Sequence, residues 1–155
     1  MTITTSDELR ELVESLRRAQ QRIVFTNGVF DILHAGHTTY LDAARALGDV
    51  LIVGLNADAS VKRLKGPDRP INTQSDRATV LAALRSVDHV VIFEQDTPLE
   101  LITMIVPDVL VKGGDYTRQT IVGADVIEQH GGDVVTIPLV EGRSTTNVIN
   151  RARTV

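Results

Sequence analysis

The run Arg22-Ile23-Val24-Phe25-Thr26-Asn27-Gly28-Val29-Phe30-Asp31-Ile32-Leu33-His34-Ala35-Gly36-His37 decides how the chain is read. Residues 22–26 have the apolar, β-branched pattern of a buried strand. Gly28 then permits a tight turn where a ligand can approach the main chain. A helix is expected over about residues 37–47, stopped by Gly48. Strand, glycine turn and helix in that order is the opening of a parallel α/β unit.

The same alternation extends in both directions. Upstream, Leu9, Leu12, Val13 and Leu16 fall on one helical face, and Thr5 with Glu8 matches a capping box. Downstream, residues 50–55 form a second continuous apolar run, followed by a short helix and a loop over 62–73 that carries Gly66, Pro67 and Pro70. A helix is expected over 75–85 and a strand over 89–93. Thr97-Pro98-Leu99-Glu100 reads as a helix start with Thr at the N-cap and Pro at the first position. Residues 108–112 give a fourth strand, a helix spans about 123–130, residues 134–139 give a fifth strand, and Ser144-Thr145-Thr146 introduces a C-terminal helix. The expectation is a doubly wound, Rossmann-like α/β fold with a five-stranded parallel sheet and a C-terminal helix. All of residues 1–155 form one domain in this reading, with an N-terminal helix over 1–20 and a core over about 22–151.

Ligands of such sheets bind beyond the carboxyl ends of the strands, at the switch point. Asn27-Gly28, Asn56-Ala57-Asp58, Gly113-Gly114-Asp115 and Ser144-Thr145-Thr146 all follow expected strands. The composition narrows what that ligand is. A net charge of −4 argues against general binding of nucleic acid, and 3% aromatic residues leave no stacking platform for single strands. The absence of cysteine removes disulfides, thiolate metal sites and a cysteine nucleophile together. Neither a signal-peptide pattern nor an apolar run of membrane-spanning length occurs, so a cytoplasmic protein without membrane contact is expected.

His34 and His37, three positions apart, project from one side of a helical turn, with Gly36 keeping the entrance uncrowded. Imidazoles beside a helix N-terminus can donate to phosphate oxygens, and the helix dipole favours the same negative charge. Other readings compete at this point. The two histidines with Asp31 could hold a metal, although no further strong ligand is near in sequence. Each could be a surface residue. Asp31 could be a phosphatase-type nucleophile, but the position two residues on is Leu33. Orientation of amides or of an imidazole suits Asp31 better.

Gly28-x-Phe30-Asp31-x-x-His34-x-Gly36-His37 after a strand resembles the signature of the cytidylyltransferase-type nucleotidyltransferase superfamily. The resemblance gives catalytic roles to His34, His37, Lys65 and Arg77. Lys65 sits where the family places a phosphate-binding lysine, and Arg77 where it has an arginine facing the site. Solvated alternatives exist for both: Lys62 lies beside Lys65, and Arg77 could pair with Asp76 or Asp88. Nucleotide or phosphate contacts are expected from Thr26, Asn27, Gly28, Val29, Phe30, Asp31, Gly36, Lys112, Gly113, Gly114, Asp115, Ser144, Thr145 and Thr146. No metal ligand set is expected from the protein.

Residues 26–37, Arg69-Pro70-Ile71-Asn72, Val111-Lys112-Gly113-Gly114-Asp115-Tyr116 and Glu141-Gly142-Arg143-Ser144-Thr145-Thr146 are similar to the heptose 1-phosphate adenylyltransferases. Val29 stands where that group often carries cysteine. The resemblance implies transfer of AMP from ATP to D-glycero-D-manno-heptose 1-phosphate by in-line displacement, with Mg²⁺ held mainly by the triphosphate. It further implies a homodimer and, because no kinase domain is visible, a stand-alone transferase. GTP with the α-anomer, CTP with a polyol phosphate, and a binding module without catalysis remain alternatives. A nicotinamide-dependent oxidoreductase is disfavoured, because Asn27-Gly28-Val29-Phe30-Asp31 lacks the Gly-x-Gly-x-x-Gly turn.

Overall fold

The computed structural model describes residues 2–114, 116–140, 142 and 144–153. In chain order the elements are β1 (Thr2–Thr4), α1 (Ser6–Arg18), β2 (Ile23–Gly28), α2 (Ala35–Arg45), β3 (Val50–Asn56), α3 (Asp58–Lys65) and α4 (Gln74–Ala82). Then come β4 (His89–Phe93), α5 (Leu99–Ile105), β5 (Val109–Gly113), α6 (Ala124–Gln129), β6 (Asp133–Ile137) and α7 (Thr145–Arg153). All strand pairings are parallel, in the order β1-β4-β3-β2-β5-β6.

The sheet has six strands where the sequence suggests five. The extra one is β1, whose three residues pair with His89, Val90 and Val91 at the sheet edge. Three residues are too few to show a period, so only the long-range pairing reveals it. The capping box of α1 is formed: the Glu8 amide bonds the Thr5 hydroxyl and Glu8 accepts from the Thr5 amide at 2.8 Å. The start of α5 differs from its expected form. Pro98 takes the N-cap position with no side-chain cap, and Glu100 accepts from Gln95 Nε2 at 2.7 Å instead of closing a box with Thr97.

Successive side chains of β2 alternate between two cores. Ile23 and Phe25 pack with Leu9, Val13, Leu101 and Ile102 beneath α1 and α5. Val24 packs with Leu41, Ala44, Leu51, Val53 and Leu81 beneath α2 and α4. Helices therefore cover both faces, and β2 and β3 are buried over most of their length.

The connections β2 to β3 to β4 run to one side of β2, whereas β5 and β6 lie on the other. The switch point is thus the gap between the carboxyl ends of β2 and β5, at Gly28 and Gly113. Divergent connections leave that gap uncovered, so a ligand can enter there.

Candidate functional site

The turn after β2 is built around an unfavourable backbone. Phe30 sits at φ +46°, a left-handed conformation that costs a bulky residue roughly 1–3 kcal/mol. Contacts on both sides compensate. The Phe30 ring lies so close to Gly28 that a Cβ there would meet ring carbon Cε2 at 2.8 Å. On its other side the ring makes an edge contact with His37, centroids 5.3 Å apart. Glycine at 28 is therefore required by the ring that follows it.

Two buried groups hold this turn from behind. The Asp31 carboxylate accepts from the amides of Ile71 and Asn72, each at 2.9 Å, and from Arg69 Nε at 2.7 Å. Burial alone would raise the Asp31 carboxyl, but the amides of Asn72 and Ile71 and the Arg69 guanidinium outweigh it and hold it below its ordinary value. Arg77 donates from Nε to Asn72 O, from Nη1 to Val29 O, and from Nη2 to both Asn56 O and the Asp58 carboxylate, at 2.6–3.1 Å. One guanidinium thus joins the ends of β2 and β3 to the loop before α4.

These placements change three expectations. Arg77 does not face the site; its side chain is fully buried and all three guanidinium nitrogens are spent on protein acceptors. It positions the turn, and it pairs with Asp58 rather than with Asp76 or Asp88. Asp31 clamps the Arg69–Asn72 segment instead of meeting a ligand with its carboxylate. Thr26 is fully buried, and its hydroxyl lies 2.6 Å from that of Tyr40. An apolar strand end buries a threonine as readily as a valine, so sequence alone could not exclude it from the site.

Helix α2 begins two residues earlier than expected, with His34 as its N-cap residue in an extended conformation and His37 one turn in. The two rings stack, centroids 3.9 Å apart and planes 23° apart. Burial, with His34 alongside, pushes the His37 imidazole down to about 4. The ring is therefore neutral near pH 7 and offers one N–H donor and one acceptor.

Around this pair the structure gathers a chamber of about 280 Å³. Asn27, Gly28, Val29, Phe30, Gly36, Lys112, Gly113, Ser144 and Thr145 line it with the two histidines. A wider cleft of about 600 Å³ shares the 27–30 turn, His37, Lys112 and Thr145, and adds Lys65 and Thr146. Lys112 is largely buried, which lowers its ammonium, and its Nζ lies 5.5 Å from the centre of the Tyr116 ring. Ser144 caps α7 by accepting from the Asn147 amide at 3.1 Å, and Thr145 Oγ1 donates to Ile32 O at 3.2 Å. The start of α7 is thereby tied to the segment leading into α2. Gly114 makes a turn at φ +107° with its amide on Ile137 O. Asp115, with the motif residues Glu141 and Arg143, lies outside the described residues.

Tyr116, at the end of the 111–116 motif, lines the chamber as well, together with Tyr40, Leu139 and Val140, which belong to no motif. Tyr40 was reachable from sequence, being one helical turn beyond His37 on the same face. Burial pushes its phenol up to about 12, so it stays neutral as a hydrogen-bonding wall. Leu139 and Val140 carried no such signal, since a connection between strand and helix has no period.

An open switch point with a stacked imidazole pair at a helix entrance and cations around it defines a phosphate-handling α/β protein. A model of the cytidylyltransferase-like family matches residues 25–151. The chain belongs to that family, and it is a nucleotidyltransferase. The bifunctional protein HldE of Syntrophotalea carbinolica is 56% identical over 149 residues, covering 96% of this chain and 30% of that protein. The HldE protein of Hyphomonas neptunium is 60% identical over 142 residues, covering 92% and 29%. The chain thus spans about 30% of the length of these curated relatives. A solved structure of the lipopolysaccharide core biosynthesis protein from Thermoplasma volcanium matches at TM-score 0.62 and 28% identity, over 79% of this chain and 99% of that one. A pantoate–β-alanine ligase from Francisella tularensis shares the fold at TM-score 0.62 and 14% identity. No described helix is long and apolar enough to cross a membrane.

Proposed function

We propose that the chain transfers AMP from ATP to D-glycero-D-manno-heptose 1-phosphate, releasing pyrophosphate and forming ADP-heptose for lipopolysaccharide or a related glycan. The observation that carries the reading is the stacked His34–His37 pair at the entrance of α2, in one chamber with Lys112 and the start of α7. The HldE relatives and the lipopolysaccharide protein support the choice of sugar.

The reaction is an in-line displacement. A phosphate oxygen of the acceptor bonds to the α-phosphorus, and the bond from that phosphorus to its bridging oxygen breaks, its electron pair leaving with pyrophosphate. A phosphate monoester is mostly dianionic above a pH of about 6, so the nucleophile needs no general base. A neutral His37 ring suits this chemistry: it donates to oxygens that gain charge without taking up the acceptor's proton. Ser144, Thr145 and Thr146, at the start of α7, would receive pyrophosphate in this reading. Lys65 and Lys112 supply positive charge, and the main chain of 27–30 and Gly113 borders the nucleotide.

Mg²⁺ is proposed to arrive on the triphosphate. Among the described residues, the two carboxylates that border the wide cleft are engaged by arginines, Asp31 by Arg69 and Asp96 by Arg63, each at 2.7 Å. These residues do not make a magnesium cage, so no step is assigned to the ion. In this reading the 155 residues act as one transferase unit, in the cytoplasm and as a homodimer measurable by sedimentation.

The test is pyrophosphate release over a matrix of ATP, GTP and CTP against sugar 1-phosphates and glycerol 3-phosphate. ATP with heptose 1-phosphate should give the highest kcat/KM. Turnover with no pair would sink the enzyme reading, and a preference for GTP or CTP would replace the nucleotide.

A further inference from the structure

We propose that Arg69 is a phosphate ligand of the acceptor subsite, presenting the outer nitrogens of its guanidinium to the sugar phosphate in the wide cleft beside Lys65. The inference rests on the nucleotidyl-transfer reading above.

The argument begins with two arginines that serve the same turn in opposite ways. Arg77 spends every guanidinium nitrogen on protein acceptors. Arg69 spends only Nε, on the fully buried Asp31 carboxylate at 2.7 Å. Its side chain is only 19% exposed and it lines the wide cleft. Nη1 and Nη2 have no protein partner among the described residues. Holding a charged group mostly out of water with four unused N–H donors is costly unless a ligand accepts them.

The charges around the cleft say what that ligand is. Asp31 and Asp96 are each paired with an arginine, while Lys65 is, among the described residues, the other cation that borders this cleft and not the smaller chamber. A guanidinium tied at Nε leaves the fork geometry that binds two oxygens of one phosphate. Tyr40, Leu139 and Val140 wall only the smaller chamber, which suits a nucleoside. The acceptor phosphate therefore falls to the Arg69 side. There the cations offset repulsion between two phosphates that must touch for transfer.

The experiment uses the full chain with Arg69→Gln and Arg69→Lys. Steady-state rates are taken with ATP and the sugar 1-phosphate varied separately, and binding of each is measured by calorimetry. Arg69→Gln should raise the KM and Kd for the sugar phosphate about 10- to 100-fold, the scale of one charge-assisted pair. The values for ATP should stay within about twofold. Arg69→Lys keeps a charge against Asp31 and should fall between; it is the deciding variant if Arg69→Gln does not fold. An effect on ATP alone would give Arg69 to the nucleotide phosphates and overturn the proposal. Equal effects on both substrates, or none, would reduce it to a structural partner of Asp31. If the wild-type chain turns over no pair, the transfer reading fails by itself. Calorimetry with the sugar phosphate then still decides whether Arg69 binds it.

Discussion

His34 and His37 stack with ring centroids 3.9 Å apart, one at the N-cap of α2 and the other a turn inside it. Burial of His37 disfavours its protonated form, and repulsion between two protonated rings in that position adds to the same effect. Its imidazole lies near 4 where an exposed one lies near 6.5. Between these values the unfolded chain holds a proton that the folded chain does not. The contribution of His37 to stability is therefore complete above about 6.5 and is lost as the pH falls towards 4. Proton NMR of the ligand-free protein should show His37 titrating near pH 4. A midpoint near 6.5 would contradict the buried, neutral ring.

His37→Ala is expected to reduce kcat far more than it weakens nucleotide binding. A donor that acts on charge developing at the phosphorus contributes roughly 2–4 kcal/mol to the barrier, or about 30- to 1000-fold in rate. Single-turnover rates beside equilibrium binding of ATP separate the two effects. Matching losses would assign the ring to ground-state binding.

Arg77→Ala should act on stability first. It removes four hydrogen bonds, among them those to the Val29 and Asn56 carbonyls. Breaking a buried charged network of this kind costs about 3–5 kcal/mol. Thermal unfolding should move accordingly, and Arg77→Lys should recover only part, because an ammonium cannot span acceptors in three directions.

Two glycines offer a contrast. At Gly28 an added methyl meets the Phe30 ring, a buried group already held at φ +46°, so Gly28→Ala should destabilise the chain by roughly 1–3 kcal/mol and disturb His37. At Gly113 the nearest atom is Leu139 Cδ2 at 2.9 Å, on a residue 62% exposed, and the buried Tyr40 ring follows at 3.2 Å. Gly113→Ala should lower the melting temperature less than Gly28→Ala while raising the KM for nucleotide.

Long segments with a clear period could be read from sequence, and they fixed the place of the site. The runs that became β2 and β3, with α2 between them, put the Gly28–His37 stretch at the carboxyl edge of a parallel sheet. What escaped was set by partners distant in sequence. β1 exists only because β4 offers it an edge. Arg77 looked available until Val29, Asn56 and Asp58 converged on it from other strands. Thr97 and Glu100 spelled a helix cap, yet Gln95 took the glutamate. Arg69 escaped for the same reason, since its value depends on Asp31 lying beneath it.

α7 buries none of its residues. One of the ties that hold it near the site is the bond from Thr145 to Ile32. A helix with so little apolar contact opens at small free-energy cost, so its amides should exchange with deuterium within seconds in the empty protein. Nucleotide bound at its first turn should slow that exchange, and part of the intrinsic binding energy would go into ordering it. Apparent affinity would then be lower than the contacts suggest, and pyrophosphate would be released more readily, which favours turnover over tight retention of product.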